Sequence, residues 1–270
     1  MSRLSVEVIG NHATERTSVL DAVASLPRSF RLGSPGDVAA ICAGPDWLPA
    51  THGAITDGAR AVVVMEPTPV PVEAIAPVVA AADSAGTRVV LARGWASNPA
   101  VAVLRDRHLD AGPTTLVDSH AEVGPDTSAD HALHAQLDLV GCLFGAEIEL
   151  TDLVRTTSGH LASGRLRRTD RAPVQLFGSR SVAGDGSIRV RELLARGRRA
   201  LTLPDGRTAR PGQAWLSDAA GHQLLPTIHE SSTRRVFGLL RAAIDAGVTG
   251  SEDLSAFAEV QRTVAGSRAH

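Results

Sequence analysis

Apolar residues in the first third of the chain form short continuous runs, separated by segments with helical spacing. The runs predict strands over residues 4–10, 29–32, 37–43, 61–65 and 88–92. The segments between and after them predict helices over residues 17–26, 49–58, 71–85 and 98–106. Alternating buried strands and helices are typical of a parallel sheet covered on both faces. We therefore expect an α/β, Rossmann-like domain over residues 1–111.

The pattern changes after residue 111, where strands follow one another with few helices between them. Strands are predicted over residues 114–123, 147–156, 172–181, 187–195 and 199–203. Helices are predicted over residues 129–144, 227–246 and 251–265. Consecutive antiparallel strands with helices grouped on one side indicate an α+β arrangement. Residues 112–270 are therefore predicted to form a second, α+β domain.

Composition narrows the function classes. The chain is 43% hydrophobic and 21% charged, with a formal net charge of −2, so nothing predicts binding to nucleic acid or to a membrane surface. No apolar run is long enough to cross a bilayer, and the first residues lack a secretion signal, so we expect a cytoplasmic protein. Cys42 and Cys142 lie in apolar runs and are expected to be buried free thiols.

The chain contains no lysine and no tyrosine, and all 27 of its basic residues are arginines. A biased genome composition is one explanation. The chemical consequence is the same in either case, because no amine and no phenol is present for acid/base catalysis.

Several stretches resemble the Gfo/Idh/MocA oxidoreductase family, and the resemblance extends over nearly the whole chain. They are VEVIG near the start, DVAAICAGPD, AVVVMEPTPVPVEAIAPVVAAADSAGTRVVLARGWASNPAV, LDLVGCLFG and the two C-terminal helices. The resemblance implies a Rossmann domain, followed by a domain built on an open, mostly antiparallel sheet. It also implies an NAD(P) cofactor, a polyol, sugar or other hydroxy or keto compound as the small-molecule substrate, and oligomer formation through the open sheet.

The nucleotide-binding half departs from the family pattern. The resemblance implies cofactor contacts at Gly10, Asn11, His12, Gly44, Pro45 and Pro67. His12 and Glu15 stand where a dinucleotide-binding turn has its second and third glycines, and a glutamate at the start of a helix would repel a pyrophosphate. The segment between Leu26 and Asp37 holds one short strand but no following helix, so we expect a reduced adenosine side.

The positions that align with the family's catalytic residues also differ from the family pattern. The Glu-Lys-Pro motif aligns with Met65-Glu66-Pro67, which puts a carboxylate at the proton-relay position. The His-x-x-Asp pair aligns so that Asp138 is present, while His134 stands one place early. His134 and Asp138 share a helix face and form a possible acid/base pair. His131, His134 and Asp138 also permit a weak metal hypothesis, but no metal site is predicted.

Three functions stay open at this point. The first is an active NAD(P)-dependent oxidoreductase. The second is a non-redox lyase or isomerase that uses Glu66, His134 and Asp138. The third, which the departures favour together with the second, is a divergent homologue whose hydride transfer is lost or altered, such as a catalytically silent subunit. That homologue would act as a homo-oligomer or as the partner of an active relative.

Overall fold

The computed structural model describes residues 2–107, 109–125, 127–181, 186–204 and 210–267. Contacts divide the chain into two units. Unit 1 comprises Met1–Ser97 and Ser232–Gln261, and unit 2 comprises Asn98–Ser231 and Arg262–His270.

Unit 1 is built on a five-stranded parallel sheet in the order β2-β1-β3-β4-β5. Its strands are β1 (Leu4–Ile9), β2 (Phe30–Leu32), β3 (Val38–Ile41), β4 (Ala61–Met65) and β5 (Arg88–Ala92). Because β3 and β4 are buried along their whole length, both faces of the sheet must be covered by helices. The predicted α/β class is confirmed.

Helices cover both faces of this sheet. They are α1 (Ala13–Ser25), α2 (Trp47–Thr56), α3 (Val72–Ala85), α6 (Ser232–Asp245) and α7 (Glu252–Gly266). One apolar core includes residues of α2, α3 and α7, and Trp47 packs edge-on against Phe257 with ring centroids 5.7 Å apart. The other includes residues of α1 and α6, where Phe30 meets Phe237 at 5.3 Å.

This packing explains why the units differ from the predicted division at residues 111 and 112. The C-terminal helices bury Phe237 and Phe257 against the parallel sheet, so residues 232–261 belong to unit 1. The chain leaves the first unit at Ser97 and returns to it at Ser232.

Unit 2 is built on an eight-stranded sheet in the order β13-β12-β11-β10-β6-β9-β8-β7. The strands are β6 (Thr114–Val123), β7 (Ile148–Thr156), β8 (Gly159–Leu166), β9 (Pro173–Arg180), β10 (Ser187–Leu194), β11 (Gly197–Pro204), β12 (Gln213–Asp218) and β13 (Gly221–Leu224). Among the described strands of this sheet only β6 and β9 pair in parallel, which confirms the mostly antiparallel sheet. Helices α4 (Pro99–Arg105) and α5 (Ala129–Phe144) complete the unit.

Helix α5 lies on one face of this sheet. Ser128 caps its start by accepting a hydrogen bond from the His131 amide at 3.1 Å, and Gly145 ends it in the left-handed conformation. The helix buries Leu133, Leu137 and Val140.

Cys42 and Cys142 are not joined in a disulfide, and of the two only Cys42 is buried. Cys142 was expected to be buried too and is partly exposed, because its position on α5 lies at the margin of the packed face.

Candidate functional site at the carboxyl edge of the parallel sheet

The residues predicted to contact a cofactor lie in unit 1 where parallel strands end. Gly10 follows β1, Gly44 lies just beyond β3, and Glu66 follows β4 directly. Asn11 and His12 follow Gly10 in the turn after β1. Pro45 follows Gly44 after β3, and Pro67 follows Glu66 after β4. Ligands of open α/β sheets bind outside the carboxyl ends of the strands, so this edge is the candidate site.

The backbone conformation and close packing at position 10 require a glycine. Its φ of +97° is a conformation that side-chain-bearing residues rarely adopt, and a Cβ there would overlap the Cys42 carbonyl oxygen. The His12 amide donates to that same oxygen at 3.1 Å. The turn between β1 and α1 is therefore held against the end of β3, with no room for a larger residue at Gly10.

The first turn of α1 carries a buried carboxylate. Glu15 is 5% exposed, and its Oε1 lies 3.2 Å from Nδ1 of the exposed His12. The His12 imidazole lies beside Gly44, where an added Cβ would be 3.7 Å from its Cδ2. Burial raises the pKa of the Cys42 thiol to about 12, and the Glu15 charge adds to this effect. The Glu15 carboxylate therefore lies near the ends of both β1 and β3.

Glu66 has an unusual backbone at the end of β4. Its φ is +44°, in the left-handed region, and its amide donates to the Ala92 carbonyl at 3.0 Å. Its carboxylate lies against Gly94, since a Cβ on Gly94 would be 2.9 Å from Oε1 and 3.2 Å from Oε2. The Gly94 carbonyl accepts a hydrogen bond from Ser232 Oγ at 2.8 Å. Non-glycine residues in this conformation are often found at functional sites.

The remaining predicted catalytic residues, His134 and Asp138, lie on α5 in unit 2, whereas Glu66 lies in unit 1. His134 is 7% exposed and Asp138 is 9% exposed. Burial lowers the pKa of His134 to about 4, and the charge of His131 acts in the same direction. The His134 imidazole is therefore neutral near pH 7, and its Nδ1 is buried without a hydrogen-bond partner.

A buried polar cluster on the same helix was not predicted from the sequence. Gln136 is fully buried, and its Nε2 donates to Ser119 Oγ at 2.9 Å and to the Phe177 carbonyl at 3.1 Å. Its Oε1 lies 2.6 Å from Nε2 of His160, whose pKa burial lowers to about 4. No local signal in the sequence identifies this cluster, because Ser119 lies on β6 and His160 on β8, and only the register of the folded sheet brings them together.

Within the described ranges, no three His, Cys, Asp or Glu side chains are grouped so that they could hold a metal ion. Across those ranges, too, no helix has the length and apolar character needed to cross a bilayer.

No protein-family model matches the chain, and no curated protein matches its sequence. Solved structures match its fold over nearly the full length. The 3-ketoreductase KijD10 from Actinomadura kijaniata, in complex with TDP-benzene and NADP, has a TM-score of 0.79 at 13% identity and covers 99% of each chain. The chain therefore shares a Rossmann-like fold with this oxidoreductase.

Two other oxidoreductases also match the fold of this chain over nearly its full length. UDP-N-acetylglucosamine 3-dehydrogenase GnnA from Acidithiobacillus ferrooxidans has a TM-score of 0.78 at 14% identity, covering 99% of this chain and 97% of its own. An oxidoreductase from Sinorhizobium meliloti has a TM-score of 0.75 at 17% identity, covering 98% and 96%. These likenesses are consistent with the Gfo/Idh/MocA resemblance, and at such low identities they establish the fold alone.

The residues at the edge do not fit a dinucleotide well. Helix N-termini favour anions, yet the first turn of α1 already holds the buried Glu15 carboxylate. On the adenosine side, β2 has three residues, and no helix joins Leu32 to Val38. The backbone matches that of an NADP-bound structure, while a buried carboxylate lies in the first turn of α1 and no helix joins β2 to β3.

Proposed function

We propose that this chain is a divergent homologue of the Gfo/Idh/MocA-type oxidoreductases, in which NAD(P)-dependent hydride transfer is lost or altered. In this proposal unit 1 still binds a small molecule at the carboxyl edge of its sheet. The observation that carries the proposal is Glu66, a carboxylate at the end of β4 in a chain without lysine.

A negative charge on Glu66 would disfavour the reduction of a carbonyl, which is the reaction of a ketoreductase. Reduction of a carbonyl builds negative charge on its oxygen, which a cationic proton donor stabilises. A carboxylate at the same place repels that charge unless it is already protonated. Because its side chain rests against Gly94, the group cannot move toward Gly94.

An active NAD(P)-dependent oxidoreductase acting on a sugar, polyol or other hydroxy or keto compound is the second candidate. It is favoured by the KijD10 structures, which contain NADP. One of them carries a single lysine-to-glutamate substitution and still contains TDP-benzene and NADP. A glutamate in place of a lysine is thus compatible with cofactor binding in that protein.

The non-redox alternative, a lyase or isomerase, is less favoured. It would need the His134 imidazole to exchange protons with a substrate. The side chain is 7% exposed, and the groups that act on its charge include Asp130 and His131 of α5, Arg155 of β7 and His160 of β8. An imidazole enclosed in this way is better suited to packing than to proton transfer.

The outer face of the second sheet supports association with a second copy or with an active relative. Val154, Leu161 and Phe177 lie in register on three adjacent strands and are 44%, 51% and 47% exposed. His120, on the next strand, packs against Phe177 with ring centroids 4.9 Å apart and ring planes tilted by 52°. We expect Phe177→Ser to shift the protein toward monomer in sedimentation experiments, whereas an unchanged mass distribution would argue against this surface.

A hydride-transfer assay tests the proposal. The protein is incubated with NADPH and a panel of free and nucleotide-linked keto sugars, and the loss of NADPH absorbance is followed. We expect no sugar-dependent oxidation by the wild type or by Glu66→Gln. Oxidation that depends on one sugar and is lost in Glu66→Gln would instead establish the second candidate, with Glu66 as its proton-transfer group.

A further inference from the structure

The start of α1 is where the fold would hold a cofactor pyrophosphate. The first amide groups of a helix have no partner within it, and the helix dipole adds partial positive charge there. His12, the residue before the helix, makes no side-chain hydrogen bond to these amides. In a dinucleotide-binding turn, glycines let the phosphates reach them. Here Glu15 supplies a side chain on that first turn.

The Glu15 carboxylate points inward. The residue is 5% exposed although its neighbours on the first turn, Thr14 and Arg16, are exposed. Its Oε1 lies 3.2 Å from His12 Nδ1, and its charge acts on the Cys42 thiol at the end of β3. The pairing with His12, whose amide donates to the Cys42 carbonyl and whose ring lies beside Gly44, places the carboxylate near the α1 start and the end of β3.

The turn that precedes this carboxylate is packed closely against the end of β3. A Cβ at Gly10 would overlap the Cys42 carbonyl, and the His12 amide donates to that oxygen. A ligand phosphate at the start of α1 would therefore lie close to a fixed, partly desolvated carboxylate. Like charges in such surroundings repel more strongly than in water.

We propose that Glu15 is a specificity-determining residue: an internal anion at the α1 start that rejects dinucleotides and reserves the edge for ligands without phosphate. This inference rests on the proposed function and deepens it, because it names the feature that turns the site away from NAD(P). The ligand class that remains is a small, uncharged or cationic molecule.

Binding of NADPH and of inorganic pyrophosphate to variants of the full chain tests this role. Glu15→Gln removes the charge at nearly constant shape, and Glu15→Gly also removes the side chain. The matched control is Asp21→Asn, which removes an exposed carboxylate further along the same helix. Calorimetric titration is expected to show affinity for both probes at least about tenfold higher in each Glu15 variant, with no change in the control.

Unchanged or weaker affinity in folded Glu15 variants would overturn the inference, and weaker affinity would make Glu15 part of a cofactor site. A failure of the proposed function would give a different result, namely sugar-dependent oxidation of NADPH by the wild type. If neither variant folds, the wild type is titrated with NADPH between about 50 mM and about 500 mM salt. Repulsion by Glu15 predicts tighter binding at high salt, whereas weaker binding would overturn it.

Discussion

Two polar regions of the molecule are built in contrasting ways. At the carboxyl edge of the parallel sheet, the backbone is tightly constrained, with Gly10 and Glu66 at positive φ, and carboxylates lie near the strand ends. Beneath α5, Gln136 bridges Ser119 and His160 inside the packed layer between helix and sheet.

This contrast distinguishes a candidate ligand-binding site, at the sheet edge, from a structural core, beneath α5. Strained backbone and charged side chains are costly, and they persist where function requires them. Buried polar groups that satisfy one another instead make the packing of one element on another more specific. The predicted pair His134 and Asp138 lies on the packing helix, which favours a structural role. Glu15 and Glu66 lie at the carboxyl edge of the parallel sheet, where open α/β sheets generally bind their ligands.

The largest expected effect is the loss of stability in acid, through the buried histidines His134 and His160. The folded-state pKa values of His134 and His160 are about 4, below the ordinary value of 6.5. The unfolded chain therefore binds protons first as pH falls. Stability is complete above pH 6.5 and is lost progressively toward pH 4. Urea denaturation should show a loss on the order of 4 kcal/mol for the pair between pH 7 and pH 5.

The His134→Gln variant provides the control for this effect, since it should lose only about half as much stability over the same pH interval. An equal loss in the wild type and in His134→Gln would mean that His134 is not the buried neutral group described above.

Removing the bridging amide should be the next largest effect. Gln136→Leu leaves Ser119, His160 and the Phe177 carbonyl without their partner, and we expect a loss of about 3 kcal/mol in the free energy of unfolding. Gln175→Leu, at an exposed position on β9, should change it by less than about 0.5 kcal/mol. Similar values for the two variants would contradict a bridging role.

A third substitution tests the constrained turn at the edge. Gly10→Ala combines positive φ with overlap of the Cys42 carbonyl, and should cost about 2 kcal/mol or more in urea denaturation. Gly53→Ala on α2 is the matched change, because an added Cβ there meets nothing within 4 Å, and it should be neutral or slightly stabilising. A Gly10→Ala protein as stable as the wild type would show that the turn relaxes freely.

The smallest effect should come from Gly94→Ala. The added Cβ would meet the end of the Glu66 side chain, which can rotate away, so stability should change by less than about 1 kcal/mol. A crystal structure of the variant should show the carboxylate displaced from its wild-type position. If the carboxylate stayed in place and the strand end moved, Glu66 would be held by more than its contact with Gly94.

The sequence predicted several elements of both units closely. The bounds of β4, β5, β6 and α5 agree with the structure because apolar runs and a capping serine define them. Strands β8, β12 and β13 were not predicted, since β8 mixes glycines with polar residues and β13 is exposed along its length. Helix α1 starts four residues earlier than predicted, where polar residues open it.

The candidate site was predicted less completely. The position of Gly10 follows from a short motif, and its positive φ agrees with that motif. The burial of Glu15 depends on how α1 meets the end of β3, and the bridge through Gln136 depends on strand register in a distant segment. Neither can be inferred from local spacing.

The most direct test of the account is a fluorescence titration of the wild-type chain with NADPH and NADH. Loss of hydride transfer through a blocked phosphate position predicts no saturable binding of either cofactor below about 1 mM. Stoichiometric binding in the micromolar range would contradict the account and would favour an active NAD(P)-dependent oxidoreductase.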